Sequence, residues 1–215
     1  MKIASRRPGR PTKLSAGGVT VDQRMLAIAT QLFARKGYKA VSIREIAQRS
    51  GVTLSSLYHH FGDKRSLYVQ AHLREFTKSS ARLEAAIQRG DSPAQRLLSF
   101  TTELCRVLCE PGPLFRLVAR HWIDGDPDIV RSLAQATVPE QFRRARAAIR
   151  ALAPRRNPTA LTFSVYAMVH GHLTLRPFAD SLTTKTGIPR VPEAMAEYVL
   201  TQLLPGTDWR SVRKS

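Results

Sequence analysis

A chain of 215 residues with 43% hydrophobic composition is long enough to bury a core in one or two domains. Its net charge of +18 points to a polyanionic partner, nucleic acid or an acidic membrane surface. No uncharged run approaches the length of a membrane span, and the basic N-terminus lacks the apolar stretch of a signal peptide. Only two cysteines, Cys105 and Cys109, argue against a disulfide framework and fit a reducing cytoplasm.

Residues 1–65 carry 13 Lys/Arg against 3 Asp/Glu, whereas residues 66–215 carry 21 against 13, so more than half of the excess sits in under a third of the chain. Residues 1–20 hold five basic residues, no acid, two prolines and three glycines, which predicts a disordered basic arm. Within it, Arg7-Pro8-Gly9-Arg10-Pro11 resembles the Arg-Gly-Arg-Pro core of an AT-hook. Arg7 and Arg10 are therefore candidates for a narrow minor groove, beside the plainer reading of a solvated tail.

From Val21 the pattern is helical: Val21, Met25, Ile28, Ala29, Leu32 and Phe33 form one apolar stripe that Gly37 closes. Ser42 and Glu45 are spaced as a capping box opening a short helix with Ile43, Ile46 and Ala47 inward. Gly51 can take the positive φ of a tight turn, and Thr53 caps a second short helix that runs through Phe61, with Leu57 and Phe61 facing the core. A glycine turn between two short helices, in the most basic part of the chain, is a helix-turn-helix spanning residues 21–66.

The same residues carry a family likeness. Leu32-Phe33-Ala34, Lys36-Gly37-Tyr38, Ile46-Ala47 before Gly51-Val52, and Leu57-Tyr58-His59-His60-Phe61-Gly62 followed by Lys64 resemble the DNA-binding domain of TetR/AcrR-type transcriptional regulators. The resemblance implies that Arg44 reaches the major groove and that Ser42 meets a phosphate. It implies too that Thr53, Leu54, Ser55 and Ser56 face the bases, and that Tyr58, His59, His60 and Lys64 hold the sugar-phosphate backbone. Leu54 and Ser55 depart from the usual pattern, which puts the preferred operator in doubt. A metal role for His59-His60 is disfavoured, because adjacent helical residues stand about 100° apart and no cysteine or carboxylate lies at chelating spacing.

The remainder predicts helices over 64–89, 92–109, 113–124, 127–135, 139–152, 158–176 and 192–204, an all-α fold with a second domain at 67–206 and a tail at 207–215. In the resembled family such a domain binds a small effector and forms the homodimer. Residues 160–175, where Ala167 and Gly171 allow close backbone approach, pair with 192–204 as the candidate dimer surface, buried core being the other reading. Phe100, Leu104, Phe115, Val118, His121, Trp122, Phe163, Tyr166 and His170 are candidates for an apolar pocket, or are simply core. Cys105 and Cys109 share a helical face but read as small hydrophobes rather than a redox or metal sensor.

With no phosphate loop, no His-Glu-x-x-His, no Gly-x-Ser-x-Gly and no Cys-x-x-Cys, neither an enzyme nor a cofactor is expected. The leading expectation is a cytoplasmic, nucleoid-associated regulator, a homodimeric repressor released from a palindromic duplex operator by a small ligand. The other is a non-specific architectural DNA-binding protein.

Overall fold

Thr20 opens the first helix, α1 (Val21–Lys36), with a reciprocal cap: its hydroxyl accepts from the Gln23 N–H at 3.3 Å and Gln23 Oε1 accepts from the Thr20 N–H at 3.1 Å. α2 (Ile43–Ser50) starts on Ser42, whose Oγ accepts from the Glu45 N–H at 3.0 Å. Only that half of the expected capping box forms. The Glu45 carboxylate turns instead to Lys36 at 2.8 Å and Arg49 at 3.1 Å, and the hydrogen bond from Lys36 above all lowers its pKa. Two cations outbid one backbone N–H for the same oxygens. Gly51 ends α2 in the left-handed region (φ 64°), and Thr53 caps α3 (Leu54–Phe61) by accepting from the Ser56 N–H at 3.1 Å.

The computed structural model describes residues 20–124, 127–131, 140–183 and 186–214, with 121–124 as backbone only. The arm and its Arg7 and Arg10, and residues 132–135 of the helix expected over 127–135, lie outside the described residues, while 127–131 is helical. Every element among the described residues is helical. Beyond α3 come α4 (Lys64–Gln88), α5 (Pro93–Cys109), α6 (Pro113–Asp124), α7 (Glu140–Leu152), α8 (Pro158–Leu182), α9 (Pro192–Leu203) and α10 (Trp209–Lys214).

The chain divides into two units, Met1–Ala71 and His72–Ser215, and the division falls inside α4. In the first unit Met25, Ala29 and Phe33 of α1, Ile46 of α2, Leu57 of α3 and Leu67 of α4 are all fully buried. Phe33 meets Tyr68 edge-on at 5.0 Å, and Tyr38 lies against both rings. In the second unit α5 is buried on nearly every side, the pattern of a central helix, and α7, α8 and α9 pack round it through Ile149, Val165, Val169 and Val199. Arg82 of α4 spans to α5, to Glu103 at 2.7 Å and bidentately to Glu110 at 2.7 Å, and both partners raise its pKa.

Two helix boundaries differ from expectation. α8 continues through Pro177 to Leu182, because a proline deletes a single i→i−4 bond and the turns around this one are largely exposed, where water satisfies the freed carbonyl. The segment assigned to a tail at 207–215 instead contributes α10. Trp209 is 2% exposed, donates from Nε1 to the Leu204 carbonyl at 3.1 Å and joins the core of the second unit.

Candidate functional site

Around α3 the side chains sort by the helical step of about 100°. Leu57 and Phe61 set the buried direction, and Ser55 and His59 stand opposite, exposed, with Tyr58 flanking them at 46% exposure. An aromatic ring that far in solvent on an eight-residue helix has no packing reason inside the unit. It fits a surface that another molecule covers. Thr53 is exposed with its hydroxyl already spent on the cap, while Leu54 and Ser56 are half-buried. Leu54 stands about 60° round from Leu57, at the edge between core and exposed face, so its role is shared with packing.

On α2, Arg44 is exposed beside the Ser42 cap, whereas Arg49 on the same helix is tied to Glu45. Lys64 is half-buried: its ammonium sits 4.5 Å from the centre of the Tyr38 ring and 3.5 Å from the Lys39 carbonyl, and burial lowers its pKa. His60 faces α1, with Nδ1 3.0 Å from Asp22 Oδ1. Asp22 did not figure in the sequence reading. At 38 positions from His60, no local pattern joins them.

In the second unit five of the nine pocket candidates come together. Phe100 and Leu104 of α5 are buried, and Phe100 meets Tyr166 of α8 edge-on at 5.8 Å. Phe115 of α6 stacks on His170 at 4.9 Å, and His170 Nδ1 lies 3.3 Å from the Thr174 hydroxyl. Burial pushes the Tyr166 phenol up and His170 down, so at neutral pH both are uncharged polar groups in an aromatic setting. Val118 is half-buried on α6, and the side chains of His121 and Trp122 lie outside the described residues. Phe142 of α7 was missed. It stacks on Tyr166 at 6.3 Å although its helix reads as a basic surface segment.

Phe163 is 55% exposed on α8, and its ring lies 5.1 Å from that of Phe142. Burial raises the Cys105 thiol to about 12 and raises Cys109 as well, so neither is a thiolate near neutral pH. Among the described residues no three His, Cys, Asp or Glu side chains are grouped as metal ligands, and no helix is long and apolar enough to cross a membrane.

The outward face of α8 is the second exposed apolar surface. Ala160, Phe163, Ser164, Ala167, Gly171, Leu175, Phe178 and Leu182 fall within one stripe about 120° wide, and the last three large side chains are 60%, 63% and 69% exposed. A Cβ placed on Gly171 would meet nothing within 4 Å.

A helix-turn-helix whose second helix has an exposed outward face, followed by a second helical unit, is an arrangement that DNA-binding regulators use. Residues 25–71 match the family model described as bacterial regulatory proteins, tetR family. Among curated relatives, the transcriptional repressor KstR of Mycolicibacterium smegmatis is 31% identical over 104 residues, 48% of this chain and 51% of KstR. The chain thus spans about half the length of the curated relatives it matches. Among solved structures, FadR of Bacillus subtilis in complex with stearoyl-CoA has a TM-score of 0.68 at 12% identity, covering 86% of this chain and 98% of FadR. AibR in complex with isovaleryl coenzyme A and operator DNA has a TM-score of 0.65 at 18% identity, with 86% and 98% covered. At such identities these two likenesses speak for the fold.

Proposed function

We propose that the chain acts in the cytoplasm as a homodimeric transcriptional repressor, held on a palindromic operator by α2 and α3 of each copy and released by a small ligand of the acyl-thioester kind. The observation that carries the DNA half is the exposed face of α3, with Ser55, Tyr58 and His59 uncovered and Arg44 open on the preceding helix. The ligand half rests on the ring cluster of Phe100, Phe115, Phe142, Tyr166 and His170, which offers an apolar lining with uncharged hydrogen-bonding groups. Structural neighbours that hold acyl-coenzyme A molecules support the ligand class. The α8 stripe supports pairing of two copies, which sets their α3 helices about one helical turn, roughly 34–36 Å, apart on the duplex.

Selection of bound sequences from a random duplex pool tests the reading. A two-fold symmetric consensus with half-sites about one turn apart is the expected result. The net charge of +18 favours a second reading, a non-specific architectural protein, and enrichment no better than chance would establish that one instead. Against the selected operator, Arg44→Ala is expected to cost about 1–3 kcal/mol and to relax preference at one base pair per half-site. A mobility-shift titration against the single-base variants measures both. A long-chain acyl-coenzyme A at about 100 times its Kd is expected to raise the stability of the full chain by about 2.7 kcal/mol in a melting experiment and to dissociate the operator complex.

A further inference from the structure

We infer that Asp22 is a positioning residue for DNA binding, holding the His60 imidazole by Nδ1 so that the protonated ring is the form that grips a phosphate. The inference rests on the reading of His60 as a backbone contact. Asp22 lies in the first turn of α1, where the helix end is positive and favours a carboxylate; His60 is the penultimate residue of α3, where the end is negative and favours a cation. Each charge is therefore placed where its own helix supports it, and the two meet at 3.0 Å.

The consequence follows from the donor inventory of imidazole. With Nδ1 turned to a carboxylate, the neutral ring carries its one proton there and presents a bare lone pair at Nε2, which repels a phosphate oxygen. Only the doubly protonated ring donates from Nε2 while keeping Asp22. Asp22 Oδ1 is buried and receives no well-aligned hydrogen bond among the described residues, so the contact is mainly a charge pair and gains most when His60 is cationic.

Several charged groups of the unit lie on other faces or pair elsewhere, and Asp63 at the start of α4 accepts from the Ser66 N–H at 2.7 Å. Arg24 stands about 200° round α1 from Asp22. Lys36 of α1 and Arg49 of α2 share Glu45, and Lys64 of α4 rests on Tyr38. On α3 itself His59 approaches the His60 ring edge-on at 5.6 Å and is exposed.

The test is the affinity of the full chain for a random-sequence duplex, measured at constant salt from about pH 5.5 to about pH 8.5. A backbone contact reads no bases, so this duplex suffices and the operator need not be known. The native chain is expected to lose affinity as pH rises, by up to about tenfold per pH unit for each histidine that must be protonated to bind. In Asp22→Asn the loss should set in at lower pH, leaving binding several-fold weaker near neutrality and close to native at the acid end. His60→Gln should remove that part of the profile, and Asp22→Asn in the His60→Gln background should change nothing further; His59→Gln should leave the effect of Asp22 intact. Parallel profiles for the native chain and Asp22→Asn would overturn the inference. So would tighter binding by Asp22→Asn at every pH, the mark of a carboxylate that merely repels DNA. Either result leaves the regulator reading standing, whereas failure to bind any duplex at any pH would overturn both.

Discussion

The Gly171→Leu variant is expected to fold, to remain a monomer at concentrations where the native chain pairs, and to lose roughly 10²–10⁴-fold in operator affinity as the two recognition helices cease to be linked. Glycine inside a helix costs about 1 kcal/mol relative to alanine, and nothing in the chain asks for it here, since a Cβ at this position would meet empty space. A leucine here therefore improves helix propensity, and its Cβ clashes with nothing of its own copy. What it does obstruct is the close approach of a second backbone to the shallow middle of the α8 stripe, where Ala167 and Gly171 lie between Phe163 and the Leu175, Phe178, Leu182 end. Sedimentation measures the pairing and circular dichroism the helix content. A variant that still sediments as a dimer would place the interface elsewhere, and one that lost its helices would show the glycine to be structural.

What could be read from the chain without its fold was whatever depends on neighbours within a few positions. The caps at Ser42 and Thr53, the left-handed turn at Gly51 and the inward pair Leu57 and Phe61 are local, and they suffice to set out a helix-turn-helix. Long-range competition was not legible. Glu45 abandons its cap because Lys36 reaches it from α1, and Asp22 finds His60 only once α1 and α3 are folded against each other. In the second unit, periodicity shows that α8 is apolar on more than one side but not which side meets the core. Thus Phe163 is more than half exposed, and Phe142, hidden among arginines, packs against both it and Tyr166. Trp209 was lost to the expected tail because a six-residue helix is too short to show a period.

The small first unit makes its core an exposed dependency for everything the chain does on DNA. Phe33→Ala is expected to cost about 3–5 kcal/mol, because the ring is fully buried and its loss leaves a cavity that rigid helices close poorly. Its edge-on contact with Tyr68 and its stacking with Tyr38 add about 0.5–1.5 kcal/mol for an aromatic pair beyond area burial. Whole domains are stable by only about 5–15 kcal/mol, and one built from three short helices and the start of a fourth belongs at the low end. Most of its folding free energy should therefore vanish with one side chain. Tyr38 also supports Lys64, so the loss reaches the DNA face directly: the ring under the ammonium shifts as its neighbour is removed. Amide exchange separates this from general damage. Amides of α1, α2 and α3 should exchange roughly 10²- to 4 × 10³-fold faster, as 3–5 kcal/mol at 1.4 kcal/mol per decade requires, while those of α5 and α9, whose core is drawn from other residues, keep their protection. Uniform loss of protection in both units would mean that the second unit draws its stability from the first, and equal protection in both would mean that Phe33 is not the keystone its burial makes it.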